Sequence, residues 1–149
     1  MFSLKKQKGF TIVELLIVIV VIGILATLVI VTFSGIQQKG RNSQRQTDIN
    51  AIQSHVEAVY ASDGKYPTLA NLNDSTWRAA NTKGLAPEAL ADPKNAATQT
   101  LVGTVPAAGT YSYAYVVTPT GCDNTATDCT GYTLTAHQEG TTDYTKASN

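Results

Sequence analysis

An uncharged run from Leu15 to Gln38 constrains the fold of this chain more than any other feature. Up to Phe33 it consists mostly of Leu, Ile, Val and Ala, and about 20 such residues suffice for a helix to cross a bilayer. It has no polar stripe, as expected for a helix surrounded by lipid or protein. The alternative is a cleaved secretory signal, but such a signal has a shorter apolar stretch followed by a cut site of small residues. Because Val31-Thr32-Phe33 is a poor cut site of that kind, we predict a retained membrane helix.

Charge is distributed unevenly along the chain, although the formal net charge is +0. Basic residues flank the apolar run on both sides: Lys5, Lys6, Lys8, Lys39, Arg41 and Arg45. Charge alone therefore leaves the orientation of the membrane helix nearly undecided. Without residues 1–9 the chain would have 8 basic and 11 acidic side chains, a net charge of 8 − 11 = −3. A mildly acidic surface argues against DNA binding through bulk charge.

Beyond the apolar run the sequence becomes amphipathic. Apolar residues recur there at spacings of three, four and three: Ile49, Ile52, Val56 and Val59. These spacings place the four side chains on one face of a helix. Gly64 is a natural helix stop, and Pro67 prevents easy continuation. We predict a single helix from about Phe10 to about Ser62, half transmembrane and half amphipathic.

The rest of the chain is predicted to form a small sheet after two short helical turns. The turns are expected within Thr76–Ala80 and Pro87–Ala91, before a region rich in Gly and Pro. Tyrosines alternate with smaller residues in Thr110–Thr118, and a similar alternation occurs in Gly131–His137, which favours two strands. With the long loop Pro119–Thr130 between them, the strands form an antiparallel hairpin. The predicted fold class is therefore α+β, a long N-terminal helix packed on a small C-terminal antiparallel sheet.

The two cysteines, Cys122 and Cys129, both lie in the loop of this hairpin. They are either free thiols or, if this part of the chain lies outside the cytoplasm, a disulfide. The only histidines, His55 and His137, have no nucleophile or further metal ligand at a suitable spacing. The sequence also contains no phosphate-binding loop, so we predict a protein that is not an enzyme and needs no cofactor.

The start of the chain carries the most specific motif. Lys5-Lys6-Gln7-Lys8-Gly9 is followed by Phe10-Thr11-Ile12-Val13-Glu14 and then directly by the apolar run. This arrangement resembles the prepilin family, which comprises the type IV pilins and pseudopilins. The resemblance is close over residues 1 to about 35. It is looser around Tyr60–Pro67, where many family members also turn from the helix into the head.

The resemblance implies a defined processing event. A membrane-embedded prepilin peptidase would cut between Gly9 and Phe10 on the cytoplasmic side and would methylate the new amino group of Phe10. The cytoplasmic position of this enzyme places the N-terminus inside. The resemblance divides the chain into a leader at residues 1–9, a transmembrane and filament-core helix at 10–34, and a head at 35–149.

Glu14 is expected to act in assembly. A carboxylate inside a membrane helix costs about 2.5–3.5 kcal/mol at the bilayer centre and less near an interface, so such residues usually have a partner. In the family, the matching acid is thought to meet the N-terminal amine of a neighbouring subunit, which sets the register of assembly. The alternative is an interfacial Glu that reaches the lipid headgroups. Many relatives also have a proline in the apolar run that accompanies local unwinding, whereas this chain has none between Gly9 and Tyr66.

For the head, the resemblance implies a disulfide between Cys122 and Cys129, because the mature head would lie outside the cell. Some pseudopilins bind calcium through late loops, and Asp123, Asn124 and Asp128 are weak candidates here. Their spacing fits no calcium-loop signature, so no metal is predicted and a solvated turn is the favoured interpretation.

The sequence predicts the structural subunit of a type IV pilus-like filament, a homo-oligomer held by its hydrophobic helices, as used in cell adhesion or twitching motility. The alternative is a pseudopilin of a type II secretion or DNA-uptake machine, and only the DNA-uptake role would involve nucleic acid. A monomeric membrane-anchored binding domain is a third hypothesis. Expected partners are the prepilin peptidase, an inner-membrane platform and an ATPase motor. The precursor would cross the cytoplasmic membrane once, and the mature protein would belong to an extracellular or cell-surface filament.

Overall fold

The computed structural model describes residues 9–148. The lysines of the predicted leader lie outside these residues. The elements follow one another as helices α1 (Ile12–Asp63), α2 (Leu69–Asn73) and α3 (Ser75–Asn81), a 3₁₀ helix (Pro87–Leu90), and strands β1 (Tyr113–Thr118), β2 (Gly131–Ala136) and β3 (Tyr144–Ala147). The predicted α+β class, a long helix followed by a small antiparallel sheet, is confirmed.

The chain divides into two compact units, one ending at Lys39 and the other beginning at Gly40. In the first unit the large apolar side chains of α1 are exposed, from Ile12 to Ile36. In the second unit, which we call the head, α1 supplies the apolar stripe predicted from the sequence, and its members are buried: Ile49, Ile52, Val56 and Val59. The division of the precursor at residues 9 and 34 stays a prediction.

The end of α1 follows the glycine signal in the sequence. Gly64 adopts a positive φ of 73°, which L side chains rarely adopt, and its N–H donates to the carbonyl of Tyr60 at 2.8 Å. Helix α2, which was not predicted, then begins with a capping box. The Thr68 hydroxyl accepts from the Asn71 N–H at 3.1 Å, and the Asn71 side-chain oxygen accepts from the Thr68 N–H at 3.1 Å.

The head core forms between α1 and one face of a three-stranded antiparallel sheet of order β1-β2-β3. In the central pairing, Tyr115 lies opposite Leu134, and both side chains are completely buried. The predicted hairpin is confirmed, but β1 begins at Tyr113 and not at Thr110. Strand β3 was missed because its four residues, with alternate half-buried and exposed side chains, include no run of large apolar residues.

The buried tyrosines of the sheet are amphipathic core residues. The Tyr113 hydroxyl donates to Asp48 at 2.8 Å, and the Tyr115 hydroxyl donates to the Pro67 carbonyl at 2.8 Å. Tyr132 donates to Glu57 at 2.7 Å. Each ring therefore adds apolar area to the core while its hydroxyl has a partner.

An ion cluster of Arg41, Arg45, Asp92, Lys94 and Glu139 joins α1 to two loops of the head. Arg45 is 0% exposed, and its guanidinium binds both carboxylate oxygens of Asp92 at 2.7 and 3.0 Å. It also donates to Glu139 at 3.0 Å. Arg41 binds both oxygens of Glu139 at 2.7 Å, and the Lys94 ammonium lies 2.9 Å from that carboxylate. The cluster satisfies a fully buried cation, which would otherwise be very costly.

We expect Asp92→Asn to lower the free energy of unfolding of the head by about 3 kcal/mol, because it leaves the buried Arg45 with only one carboxylate. The matched control is Asp128→Asn, which breaks the exposed Lys65–Asp128 pair and should cost no more than about 1 kcal/mol. Chemical denaturation of the full chain in detergent measures both. Equal losses for the two variants would contradict the assigned role of the cluster.

The same cluster predicts a pH dependence. Hydrogen bonds from Arg41, Lys94 and Arg45 hold the pKa of Glu139 well below its usual range. This carboxylate therefore stabilises the fold above its unfolded pKa of about 4.3, and the stabilisation is lost as the pH falls toward the native pKa. Burial raises the pKa of Asp48. A raised carboxyl pKa has the opposite effect on the pH dependence, because it makes the fold more stable when the carboxyl group is protonated.

We therefore expect the denaturation midpoint of the parent chain to fall between about pH 6 and about pH 3 by more than that of Glu139→Gln. The variant has lower stability at the higher pH, and the difference between the two midpoints should narrow toward the lower pH. Parallel pH profiles for the two proteins would show that Glu139 is not the group responsible.

Candidate functional site

The predicted cleavage site lies before the first helix, at the exposed start of the described chain. Gly9 and Phe10 precede α1, which begins at Ile12, and the Phe10 side chain is 85% exposed. A Cβ added to Gly9 would meet no atom within 4 Å. Exposed segments outside regular structure are the usual sites of proteolytic cleavage, so this geometry suits a processing site.

Thr11 and Glu14 form a capping box at the N-terminus of α1. The Thr11 N–H and the Thr11 hydroxyl both donate to Oε2 of Glu14 at 2.8 Å, and the Glu14 N–H donates to the Thr11 hydroxyl oxygen at 3.2 Å. These bonds satisfy backbone donors that a helix start would otherwise leave free. This role of Thr11 was not predicted, although the spacing Thr-x-x-Glu in the sequence was sufficient to indicate it.

The capping box leaves one oxygen of Glu14 available. Among the contacts of residues 9–148, Oε2 takes the bonds from Thr11, while Oε1 has no hydrogen-bond partner. The carboxylate is thus fixed in orientation at the first turn of the helix, where a negative charge also complements the helix dipole. It can still accept a bond from a positively charged group outside the chain.

The apolar segment behind Glu14 has its polar groups satisfied within the helix. The hydroxyls of Thr27, Thr32 and Ser34 donate to the carbonyls of Gly23, Leu28 and Val31 at 2.9 Å each. Within the described chain, α1 is the one helix long and apolar enough to cross a membrane, and none of its most apolar window is buried. The helical assignment continues through Gly23 and Gly35, so the segment is not unwound here.

In the head, the predicted disulfide between Cys122 and Cys129 is confirmed, and it closes the loop between β1 and β2. The backbone N–H of Tyr66 donates to the Cys129 carbonyl at 2.9 Å. The disulfide loop is thereby attached to the segment that follows α1.

Each of the three weak calcium candidates makes its contacts with a different part of the head. One oxygen of Asp123 accepts from the N–H groups of residues 125, 126 and 127, and hydrogen bonds from Thr125 and this backbone hold the pKa of Asp123 below its usual range. Asn124 donates to the Tyr66 carbonyl at 2.7 Å, and Asp128 lies 3.3 Å from the Lys65 ammonium. No cluster of three or more side chains suited to a metal occurs between residues 9 and 148.

Comparison with known proteins identifies the segment that contains Glu14. The model of the prokaryotic N-terminal methylation motif matches residues 4–30. Residues 4–30 therefore carry the N-terminal methylation motif, and the resemblance noted in the sequence is confirmed.

Most of the similar proteins are named type II secretion system core protein G. The chain is 34% identical over 64 residues to type II secretion system core protein G of Dickeya chrysanthemi. These 64 residues are 43% of this chain and 42% of that relative. The chain is 33% identical over 88 residues to core protein G of Vibrio cholerae, covering 59% and 58%. The type IV major pilin protein PilA of Myxococcus xanthus is 32% identical over 66 residues, covering 44% and 30%.

The matched stretch thus spans about half the length of the core protein G relatives. No solved structure matches this chain. The matching family model covers residues 4–30, and the head is described by its own structure.

Proposed function

We propose that this chain is a pseudopilin, the subunit of a short filament in a secretion machine of the type II class. The observation that carries the proposal is the capped Glu14 at the start of an exposed apolar helix. The sequence alone predicts a pilus subunit, with a pseudopilin as the alternative. The comparisons favour the pseudopilin, because most similar proteins are core protein G and one is a type IV pilin.

The proposed sequence of events begins with the precursor in the cytoplasmic membrane, its N-terminus inside. Prepilin peptidase cuts between Gly9 and Phe10 and methylates Phe10, which creates a positive amine close to the capping box. The Oε1 oxygen of Glu14 in one subunit then accepts the Phe10 amine of its neighbour. In a dry filament core this attraction is much stronger than in water, and its main effect is to select the register.

The apolar residues from Leu15 to Phe33 hold the filament together by packing against the same residues of neighbouring subunits. Transfer of this helix from the bilayer to the filament brings no hydrophobic gain, because lipid tails are equally apolar. Close packing between helices and the pairing of Glu14 therefore have to stabilise the filament. An inner-membrane platform and an ATPase motor provide the work of extraction. The head, outside the membrane, carries the disulfide between Cys122 and Cys129.

The second candidate function is a subunit of a type IV pilus, which the similarity to the Myxococcus pilin favours. Both candidates use the same cleavage site and the same pairing of Glu14. They differ in the product, which is a long surface fibre in one case and secreted protein in the other.

Processing is tested by intact-mass and N-terminal fragment analysis of the assembled protein. We expect Phe10 as the first residue, with one additional methyl group on its amine. Gly9→Val should leave the precursor uncut, because a side chain at the cut hinders close approach of the backbone. An assembled protein that retains residues 1–9 would overturn the proposal.

Assembly is tested with Glu14→Gln in the native host. We expect at least about a tenfold loss of cross-linked oligomers and of secreted protein, because the variant cannot pair its neighbour's amine. Glu88→Gln, a change of the same kind on the exposed 3₁₀ helix, serves as the control and should leave both quantities unchanged. Loss of surface fibres with normal secretion would favour the pilus function, and normal oligomers in Glu14→Gln would exclude both.

A further inference from the structure

A small cavity in the head lies beside α3, away from the disulfide loop and the ion cluster. Its volume is about 170 Å³, and its lining includes Ser75, Arg78, Thr82, Lys83 and Leu85. This volume is below the range of roughly 300–1,000 Å³ typical of sites for drug-sized ligands. The space is suited to a small ion or a single functional group.

Arg78 is a buried cation without an acidic partner in the described chain. It is 8% exposed, and its Nη1 donates to the Leu72 carbonyl at 2.6 Å. No carboxylate of residues 9–148 lies within ion-pair distance of it. Arg45, the other buried arginine, binds two carboxylates. Buried charges in proteins are normally paired, so Arg78 stands out from the rest of the head.

Most donors of Arg78 have no hydrogen-bond partner among residues 9–148. A guanidinium carries five N–H groups, and the bond to Leu72 uses one of them. Within the described residues, no side-chain nitrogen or oxygen is both buried and without a partner. The Nε and Nη2 groups therefore remain accessible, and the space that Arg78 lines is the cavity.

A second basic residue lines the same cavity. Lys83 is exposed, and the residues of the lining include no Asp or Glu. Ser75 and Thr82 are also lining residues, and the Thr82 hydroxyl donates to the Arg78 carbonyl at 3.0 Å. Arginine and lysine are the side chains that proteins use to bind phosphate, sulfate and carboxylate groups.

We propose that this cavity binds a small oxyanion through the guanidinium of Arg78 and the ammonium of Lys83. The oxyanion supplies the negative charge that no carboxylate of residues 9–148 provides to Arg78. The proposal concerns the head alone and is independent of the function assigned to the N-terminal segment.

The test uses the full ¹⁵N-labelled chain in detergent micelles, titrated with sodium phosphate and, in a parallel sample, with sodium chloride at matched ionic strength. We expect a saturable shift of the Arg78 Nε–Hε signal with phosphate and none with chloride. Sodium acetate distinguishes a site that also accepts carboxylates from one restricted to tetrahedral anions. An absent or non-saturable shift with both phosphate and acetate, or an equal shift with chloride, would overturn the proposal.

Two lysine variants make the test specific. Lys83→Ala should weaken phosphate binding roughly fivefold, whereas Lys146→Ala, which removes a charge from β3, should change it less than twofold. Arg78→Gln also removes the hydrogen bond to Leu72, so Lys83→Ala, which leaves that bond in place, is the deciding variant. Equal affinities in the two lysine variants would show non-specific ion binding only.

Discussion

The complete burial of Arg45 is the constraint on which the head depends. A guanidinium at 0% exposure is tolerated only when its charge and its donors are matched, and here Asp92 and Glu139 match them. Arg45 lies on α1, whereas the two acids lie on loops that are distant in sequence. Pairing them fixes the loops against the helix, next to the apolar stripe that begins at Ile49 and packs into the core.

Charge is used differently at the start of α1. Glu14 is held by Thr11 through one carboxylate oxygen, while the other oxygen has no partner in the described chain. The capping box satisfies the backbone donors at the helix start and holds the acid in one orientation. In the filament proposed above, an acid with a fixed direction would set the register, because a misplaced subunit would leave the charge unmatched.

Much of the fold could be predicted from local patterns. The apolar stripe from Ile49 to Val59 and the helix stop at Gly64 predicted the amphipathic part of α1. The alternation of large and small residues predicted both strands of the hairpin. Strand β3 was missed because Tyr144–Ala147 has no strong pattern and is paired only through β2. The capping box at Thr11 was also missed, although the local sequence contained its signature.

The sequence by itself determined the membrane-capable helix and the N-terminal methylation motif of residues 4–30, because each depends on residues that are adjacent along the chain. Only the tertiary structure decided which carboxylates pair with Arg45, and that no carboxylate of residues 9–148 pairs with Arg78. Both arginines look alike in the sequence, each within a polar helical segment. What separates them is whether a distant loop brings a carboxylate to the buried cation, and that depends on long-range packing that no local pattern encodes.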